Sequence, residues 1–327
     1  MENTKKEKRE LPGFIRKIKQ IEGLEAFFPL AIICVLLCIF TDTFASTNNI
    51  MQVLRQAAVY AIMGTGMTFV IISGGVDLSQ GSLLAFCCVF AGKTLNATGS
   101  ILLCIIVAVV MGAIAGAING LVIAYVKIPP FIMTLGTMYI YRGLTLWITN
   151  STQIAVTNQR FKFIGQGFVL GVPVPVYIFI LIGILAYILL SKTATGRYIY
   201  AIGSNQETAR LSGVRIERNI VKIYALSGIA IGFASVVYLS RLSAAQPTAG
   251  QSYEMEAIAA AVIGGVSMTG GSGSVLGTLI GATTVAVIRN GLVLLGVQSY
   301  FTQIVVGAII VVAVSIDFIR KRIAASK

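Results

Sequence analysis

Few residues in this sequence could carry covalent or metal chemistry. The 327 residues include no histidine, which excludes imidazole proton relays and histidine-based zinc sites. All the cysteines lie in apolar segments, where cysteine acts as a small packing residue; they are Cys34, Cys38, Cys87, Cys88 and Cys104. We therefore expect no catalytic residue, no disulfide and no metal site.

Nucleotide binding would need a phosphate-binding loop with the pattern G-x-x-x-x-G-K-[ST]. The nearest match ends in Gly92, Lys93 and Thr94, but Cys87 occupies the position of the first glycine, and the segment is the end of an apolar helix. The sequence therefore predicts no cofactor in this chain.

The run GGVDLSQG, residues 74–81, places an acidic residue between two apolar segments. An acid at a membrane boundary is a candidate for the transport path. A simpler role is also available, because Asp77, Ser79 and Gln80 can cap the helix that follows. We favour the capping role, and the path role stays open.

A second run, AAVIGGVSMTGGSGSVLGTLIG at residues 260–281, is rich in glycine. Such density allows close helix packing and also ends one short helix before another begins. If the helix is broken beside the translocation path, the residues facing the path would be Gly264, Gly265, Gly270 and Gly271. The spacing of Gly112, Gly116 and Gly120 is first of all a packing signal.

Arg142 and Arg289 interrupt apolar runs. Each could reach the membrane interface with its long side chain or face the path, and the sequence leaves both open.

The loop between residues 191 and 222 carries a helix-forming stretch at residues 205–211. Asn205 can cap its start, Glu207 in the first turn suits the helix dipole, and Gly213 can end it. A short capped helix on a basic loop is suited to docking a partner protein. The alternative is an ordinary basic loop that fixes membrane orientation.

The composition indicates the elements that position these residues. Hydrophobic residues make up 56% of the chain and charged residues 11%, against about 25% charged in soluble domains. Backbone amides in lipid must be satisfied within a segment, so the sequence predicts an all-α membrane protein of about ten transmembrane helices. The predicted spans are residues 26–44, 51–73, 82–95, 100–125, 131–149, 174–191, 220–240, 255–266, 274–295 and 301–319. The short spans 82–95 and 255–266 could be half-helices that line a cavity.

The net charge of +13 fits membrane orientation better than nucleic-acid binding, because most of the 25 lysines and arginines cluster in alternate loops. This bias places both termini in the cytoplasm. It divides the chain into a basic cytoplasmic segment at residues 1–25, a membrane domain at 26–319 with a cytoplasmic loop at 192–219, and a cytoplasmic tail at 320–327.

Two internal similarities indicate a pseudo-repeat. The stretches that begin at Asn119 and Asn290 share NGLV and pair helices in opposite orientations, as in many transporters. The GGV runs at Gly74 and Gly264 are also similar, but with a different offset. We favour the first pairing because it extends further.

The run GRYIYAIGSNQETARLSG, residues 196–213, resembles the signature loop of permease subunits in ATP-binding-cassette (ABC) importers, specifically the ribose-type sugar permease family. Glu207, Ala209 and Gly213 match the family spacing Glu-Ala-Ala-x-x-x-Gly, and Thr208 stands where alanine is usual. The two GGV runs also resemble family segments, so the similarity covers nearly the whole chain.

The resemblance implies that the loop forms a coupling helix seated in a cleft of a separate ATPase subunit. The implied contact residues are Glu207, Ala209 and Gly213, flanked by Arg197, Asn205 and Arg210. The resemblance also implies a second copy or a homologous permease, an extracytoplasmic sugar-binding protein, and a place among the lipids of the bacterial inner membrane. ATP and magnesium would be bound by the ATPase, and the cargo would be a ribose-like pentose or a hexose.

Two alternatives remain at this point. The same kind of permease could carry another small polar solute or an amino acid. An ion-coupled secondary transporter is a different class, and it would need acids buried inside the membrane domain. We expect every Asp and Glu to lie at the end of a span or outside it, which disfavours this class.

Overall fold

The computed structural model describes residues 23–298, 300–301, 303–308, 311–312, 314–315 and 319. The predicted terminal segments at residues 1–22 and 320–327 lie outside the described residues. After a single 3₁₀ turn at Leu24–Ala26, the helices are α1 (Phe27–Phe40), α2 (Thr47–Ile72), α3 (Gln80–Thr98), α4 (Ile101–Leu121), α5 (Pro130–Thr149), α6 (Gln159–Gln166), α7 (Val174–Lys192), α8 (Ala194–Ser204), α9 (Gln206–Leu211), α10 (Ile216–Leu242), α11 (Tyr253–Ile263) and α12 (Val275–Leu294). A π-helical turn at Val122–Val126 continues α4. The described residues between 300 and 319 are also helical.

Each predicted span up to residue 295 coincides with one helix. Within the described residues, five helices are long and apolar enough to cross a membrane: Thr47–Ile72, Ile101–Val126, Val174–Lys192, Ile216–Leu242 and Val275–Leu294. The span predicted at 82–95 is not short, because α3 has 19 residues. The span predicted at 255–266 is short, since α11 has 11 residues. The tenth span falls on a region that the structure describes only in part.

Glycine allows a close helix contact in the core. The glycines of α4 lie against the backbone of α10, where a Cβ on Gly120 would come within 2.7 Å of Val221 Cα. Gly112 and Gly116 meet Gly228 and Tyr224 of α10 in the same way. The packing role predicted for this glycine spacing is confirmed. The aromatic and aliphatic faces of α1, α5 and α7 are exposed instead, as expected for surfaces in contact with lipid.

Short strands and helices connect the long helices. Strand β1 (Ile154–Ala155) pairs antiparallel with β4 (Ala244–Ala245), and β2 (Phe168–Val169) pairs with β3 (Val172–Pro173). The α6 helix lies between β1 and β2. At the other end of the molecule, α8 and α9 form the connection from α7 to α10, and α8 was not predicted from the sequence.

The two internal similarities lie at comparable places in the fold. Asn119 and Asn290 each stand near the end of a long helix, α4 and α12. Helices α2 and α11 end with the same hydrogen-bond pattern. Gly74 N donates to Ile71 O and Gly265 N to Val262 O, and in each case the next residue donates to the carbonyl five positions before it. In this geometry Gly74 corresponds to Gly265, one residue away from the sequence match. The pseudo-repeat itself stays a prediction.

Candidate functional site

The helix predicted at residues 205–211 is present as α9. Asn205 Oδ1 accepts a hydrogen bond from Thr208 N at 2.9 Å, so Asn205 caps the helix, and Glu207 lies in the first turn. At the other end, Gly213 N donates to Arg210 O at 3.0 Å and Val214 N donates to Ala209 O at 3.1 Å. Gly213 has a φ of 84°, which favours glycine. The predicted start and end of this helix are confirmed.

Five of the six candidate coupling residues are exposed: Arg197, Asn205, Glu207, Arg210 and Gly213. Ala209 is only 4% exposed and packs against the body of its own chain. Leu211, which the sequence did not single out, is 82% exposed at the end of α9. The exposed surface of α9 and its C-terminal turn therefore includes Glu207, Arg210, Leu211 and Gly213, with Ala209 behind it.

Arg210 also has a partner in its own chain. Its Nη2 lies 2.9 Å from Glu217 Oε1, in the first turn of α10. Both side chains are partly exposed, so the pair ties α9 to α10 in contact with solvent.

A cavity of about 550 Å³ lies beside α9. One wall is formed by Gln206, Glu207 and Arg210 of α9, and another by Ser73, Gly74 and Gly75. The remaining wall contains Lys127, Pro129 and the first residue of α5, Pro130, together with Ile216, Glu217, Ile220 and Tyr224 of α10. The cavity thus separates α9 from the turn at residues 73–79.

Asp77 lies in that turn and is fully buried. Its Oδ1 accepts hydrogen bonds from Ser79 N at 3.0 Å and from Ser79 Oγ at 2.6 Å. Helix α3 begins only at Gln80, and its N-cap residue Ser79 makes no side-chain cap bond. The favoured interpretation of Asp77 as a helix cap was therefore wrong in its detail, because Asp77 fixes the turn before the helix.

A polar network surrounds Asp77 inside the bundle. Asn119 Nδ2 of α4 donates to Ser79 Oγ at 3.0 Å, and Gln80 Nε2 donates to Ser227 Oγ of α10 at 3.0 Å. Ser227 Oγ in turn lies 3.5 Å from Asp77 Oδ2. The carboxylate is therefore held by hydroxyl and backbone donors, and the described residues give it no ion pair.

The backbone of the same turn is held from two helices. Val76 O accepts from Tyr224 OH of α10 at 3.3 Å and from Thr134 Oγ1 of α5 at 3.3 Å. The turn at residues 73–79 is thus anchored by α4, α5 and α10 together, although none of these contacts is close in sequence.

The four glycines proposed to face the path lie in the connection between α11 and α12. Gly264 is buried against the backbone of Gly277, and Gly265 is exposed. Gly271 N donates to Ile72 O at 2.8 Å. Gly270 and Gly271 therefore meet the start of the Asp77 turn, where α8 also ends.

Two buried charged groups were missed from the sequence. Glu256, in the first turn of α11, is 1% exposed and forms an ion pair with Arg289 of α12. Glu254 is also buried. Both acids lie in the first turn of α11, at a span end as expected, but they are buried there because α11 begins inside the bundle.

Arg142 is likewise engaged within the chain. Its Nη1 donates to Pro247 O at 2.7 Å and to Ala249 O at 2.8 Å. Arg142 and Arg289 both bind buried acceptors. The sequence had suggested only that each reaches the membrane interface or faces the path. Within the described residues, no group of three or more His, Cys, Asp or Glu is placed to hold a metal ion.

Comparison with known proteins shows relatives over almost the full chain. The ribose import permease protein RbsC of Bacillus subtilis (strain 168) is 44% identical over 299 residues, which are 91% of this chain and 93% of the relative. The D-allose transport system permease protein AlsC of Escherichia coli (strain K12) is 37% identical and covers 89% of this chain and 90% of its own length. The xylose transport system permease protein XylH of the same strain is 34% identical and covers 92% of this chain and 93% of its own length.

No solved structure matches the chain. A family model described as "Branched-chain amino acid transport system / permease component" matches residues 49–314, which include the Asp77 turn, α8, α9 and the connection between α11 and α12. These matches confirm the resemblance to sugar permeases seen in the loop around Glu207. The chain belongs to this family of transport-system permease components.

Proposed function

We propose that this chain is the membrane-spanning subunit of a bacterial ABC importer and that it translocates a monosaccharide, a ribose-like pentose or a hexose. The observation that carries the proposal is α9, a capped, exposed helix with the spacing of Glu207, Ala209 and Gly213, in a chain similar to sugar permeases. The subunit performs no covalent chemistry.

The proposed partners follow from the same feature. A separate ATPase subunit binds ATP and magnesium and receives α9 in a cleft, where Glu207 and Gly213 lie at the contact. Arg197, Asn205 and Arg210 flank the contact, and the buried Ala209 positions α9 on the body of its own chain. An extracytoplasmic binding protein delivers the sugar, and a second copy or a close homologue of this chain completes the membrane part.

In the bacterial inner membrane, the proposed orientation places both termini and the loop at residues 192–219 in the cytoplasm, with about ten crossings between residues 26 and 319. ATP binding closes the ATPase pair, the docked helices move, and the membrane cavity changes the side to which it opens. Under this proposal Asp77 and the glycines at positions 264, 265, 270 and 271 lie near the path.

Two alternatives stay as candidates, one for the cargo and one for the mechanism. The family description names branched-chain amino acids, so amino acid transport is the nearest alternative. Ion-coupled transport gains one argument from the buried Asp77, Glu254 and Glu256. Glu256 is nevertheless paired with Arg289, and Asp77 is held by hydrogen bonds, so these two carboxylates already have partners.

Reconstitution in vesicles tests the proposal. The chain is combined with an ATPase and a binding protein from the same organism, and uptake of labelled ribose is competed with allose, xylose and leucine. We expect ATP-dependent ribose uptake that the sugars reduce and leucine does not. ATP-dependent uptake of labelled leucine but not of labelled ribose by the same vesicles would support the amino acid alternative and contradict the sugar assignment.

A further inference from the structure

Helix α8 reaches the end of α2, directly before the Asp77 turn, without any side chain between them. A Cβ at Gly203, next to the last residue of α8, would lie 2.7 Å from Gly271 N and 2.8 Å from the carbonyl carbon of Ile72, and closer still to Ile72 O. Real Cβ atoms do not approach backbone atoms so closely. Only glycine fits at this position unless the backbone moves.

The contact falls on a hydrogen bond that joins two other segments. Gly271 N donates to Ile72 O at 2.8 Å, and this bond links the connection between α11 and α12 to the end of α2. A Cβ at Gly270 would lie 2.9 Å from Gly203 O and 3.2 Å from Gly74 N, and its φ of 83° also favours glycine. We call the contact among residues 72–74, 203–204 and 270–271 the glycine junction.

One side chain reinforces the glycine junction from α8. Tyr200 OH donates to Gly273 O at 2.7 Å, one turn before Gly203. Helix α8 is therefore fixed to the connection between α11 and α12 by a hydrogen bond as well as by backbone contact.

The neighbouring helix α9 faces open space on this side. The cavity of about 550 Å³ lies between α9 and residues 73–75. A displacement of α9 can close or widen this cavity without moving the turn. Helix α8, which packs against α9, has no such space at Gly203, because close-packed backbones move together.

The far end of the turn carries the buried polar network. Four residues beyond Ser73, Asp77 is bound to Ser79 and lies near Ser227 of α10, and the residue before it is bound to Tyr224. A shift at the glycine junction is therefore directed along residues 73–79 into the interior of the bundle.

We propose that Gly203 is a positioning residue of the transport cycle, an inference that rests on the proposed function. It passes the displacement of α9 through α8 and the glycine junction to the Asp77 turn. Gly203 contacts neither the cargo nor the ATPase in this role. It keeps α8 in direct backbone contact with the end of α2 and with the connection between α11 and α12.

The test uses the complete complex in vesicles with the variant Gly203→Ala. The added methyl group separates the three segments, so we expect sugar uptake to fall about tenfold. Assembly with the ATPase and its ATP hydrolysis should stay within about twofold of wild type, since α9 itself is unchanged. The matched control is Gly136→Ala in α5, where a Cβ meets no described atom within 4 Å, and its uptake should be unchanged.

A second variant keeps the test decisive if Gly203→Ala does not assemble. Tyr200→Phe removes only the hydroxyl group that binds Gly273 O, and we expect uptake to fall about threefold with ATP hydrolysis retained. Normal uptake in an assembled Gly203→Ala complex would overturn the proposal. So would normal uptake by Tyr200→Phe, or loss of assembly in both variants, which would make Gly203 a folding residue. A wild-type complex that takes up no sugar would contradict the proposed function instead.

Discussion

The two ends of this molecule both contain direct backbone contacts at glycine, but they differ in how far charged side chains take part. At the end formed by α8, α9 and the turn at residues 73–79, backbones meet directly at Gly203. At the opposite end, which includes β1, β4 and α6, backbones also meet directly at Gly165, but here charged side chains reach across to carbonyl groups as well. Arg142 binds two carbonyls of residues 247–249, and Arg55 Nη2 donates to Gln166 O at 2.6 Å. The buried pair of Glu256 and Arg289 belongs to the same half.

The charged contacts and the backbone contacts serve two tasks, which are stability and the transmission of movement. Long charged side chains bridge gaps and satisfy buried polar groups, so their loss lowers stability. Backbone contacts at glycine leave no gap, so a movement at one segment reaches the next. We therefore expect variants at the Arg289 end to reduce stability first, and variants at the α8 and α9 end to reduce transport first.

The largest stability effect is expected at the buried ion pair. Arg289→Met leaves the Glu256 carboxylate buried without a cation, which costs about 3–5 kcal/mol. Thermal unfolding of the purified chain in detergent measures this loss. The double variant Glu256→Leu with Arg289→Met should recover a large part of it, because no unpaired charge remains. A double variant as unstable as the sum of the single ones would contradict the account.

The next largest effect is expected at Arg142. Arg142→Met removes two hydrogen bonds from a charged donor and costs about 2–3 kcal/mol. Hydrogen exchange at residues 244–252 should become faster, and Arg142→Lys should lie between the variant and the wild type. Unchanged exchange in this segment would show that Arg142 does not hold it.

At the α9 end, a variant of Gly213 should reduce transport much more than stability. Gly213→Ala forces a side chain into a positive φ, which costs about 1 kcal/mol of stability. Uptake by the reconstituted complex should nevertheless fall about tenfold, because the end of α9 shifts in the ATPase cleft.

Gly99 provides the matched control for Gly213, since it also ends a helix with a positive φ and its Cβ would meet no described atom within 4 Å. Gly99→Ala should lose similar stability and keep its uptake. Equal loss of uptake in both variants would remove the distinction between the two ends.

The smallest effect is expected at the exposed pair of Arg210 and Glu217. Its side chains are 46% and 35% exposed, so Glu217→Ala should cost less than about 1 kcal/mol, and less still at high salt. Unfolding measured at low and high salt checks this. A large, salt-independent loss would show that the pair is more than a surface contact.

Local features were predictable from the sequence, and long-range ones were not. The start and end of α9 follow from Asn205 and Gly213, whose partners lie within a few residues, and the long helices follow from apolar length. Arg142 binds residues more than a hundred positions away, and Arg289 of α12 binds Glu256 of α11. Only the packing of α11 inside the bundle shows that Glu256 is buried.

The glycine junction was only partly accessible to sequence reasoning. The density of glycine at residues 264–273 indicated close backbone approach, and this is what Gly270 and Gly271 provide. No sequence pattern singled out Gly203, because α8 itself was not predicted. Its buried residues Ile199 and Ile202, three positions apart, are the signal that could have indicated a packed helix there.

The central claim is that this chain moves its cargo with energy from a separate ATPase. The most direct measurement follows labelled ribose in vesicles that contain either the chain alone under a sodium or proton gradient, or the chain with its ATPase and binding protein, ATP and no gradient. The account predicts accumulation only in the second preparation. Accumulation by the chain alone, driven by the gradient and lost on Asp77→Asn, would contradict it.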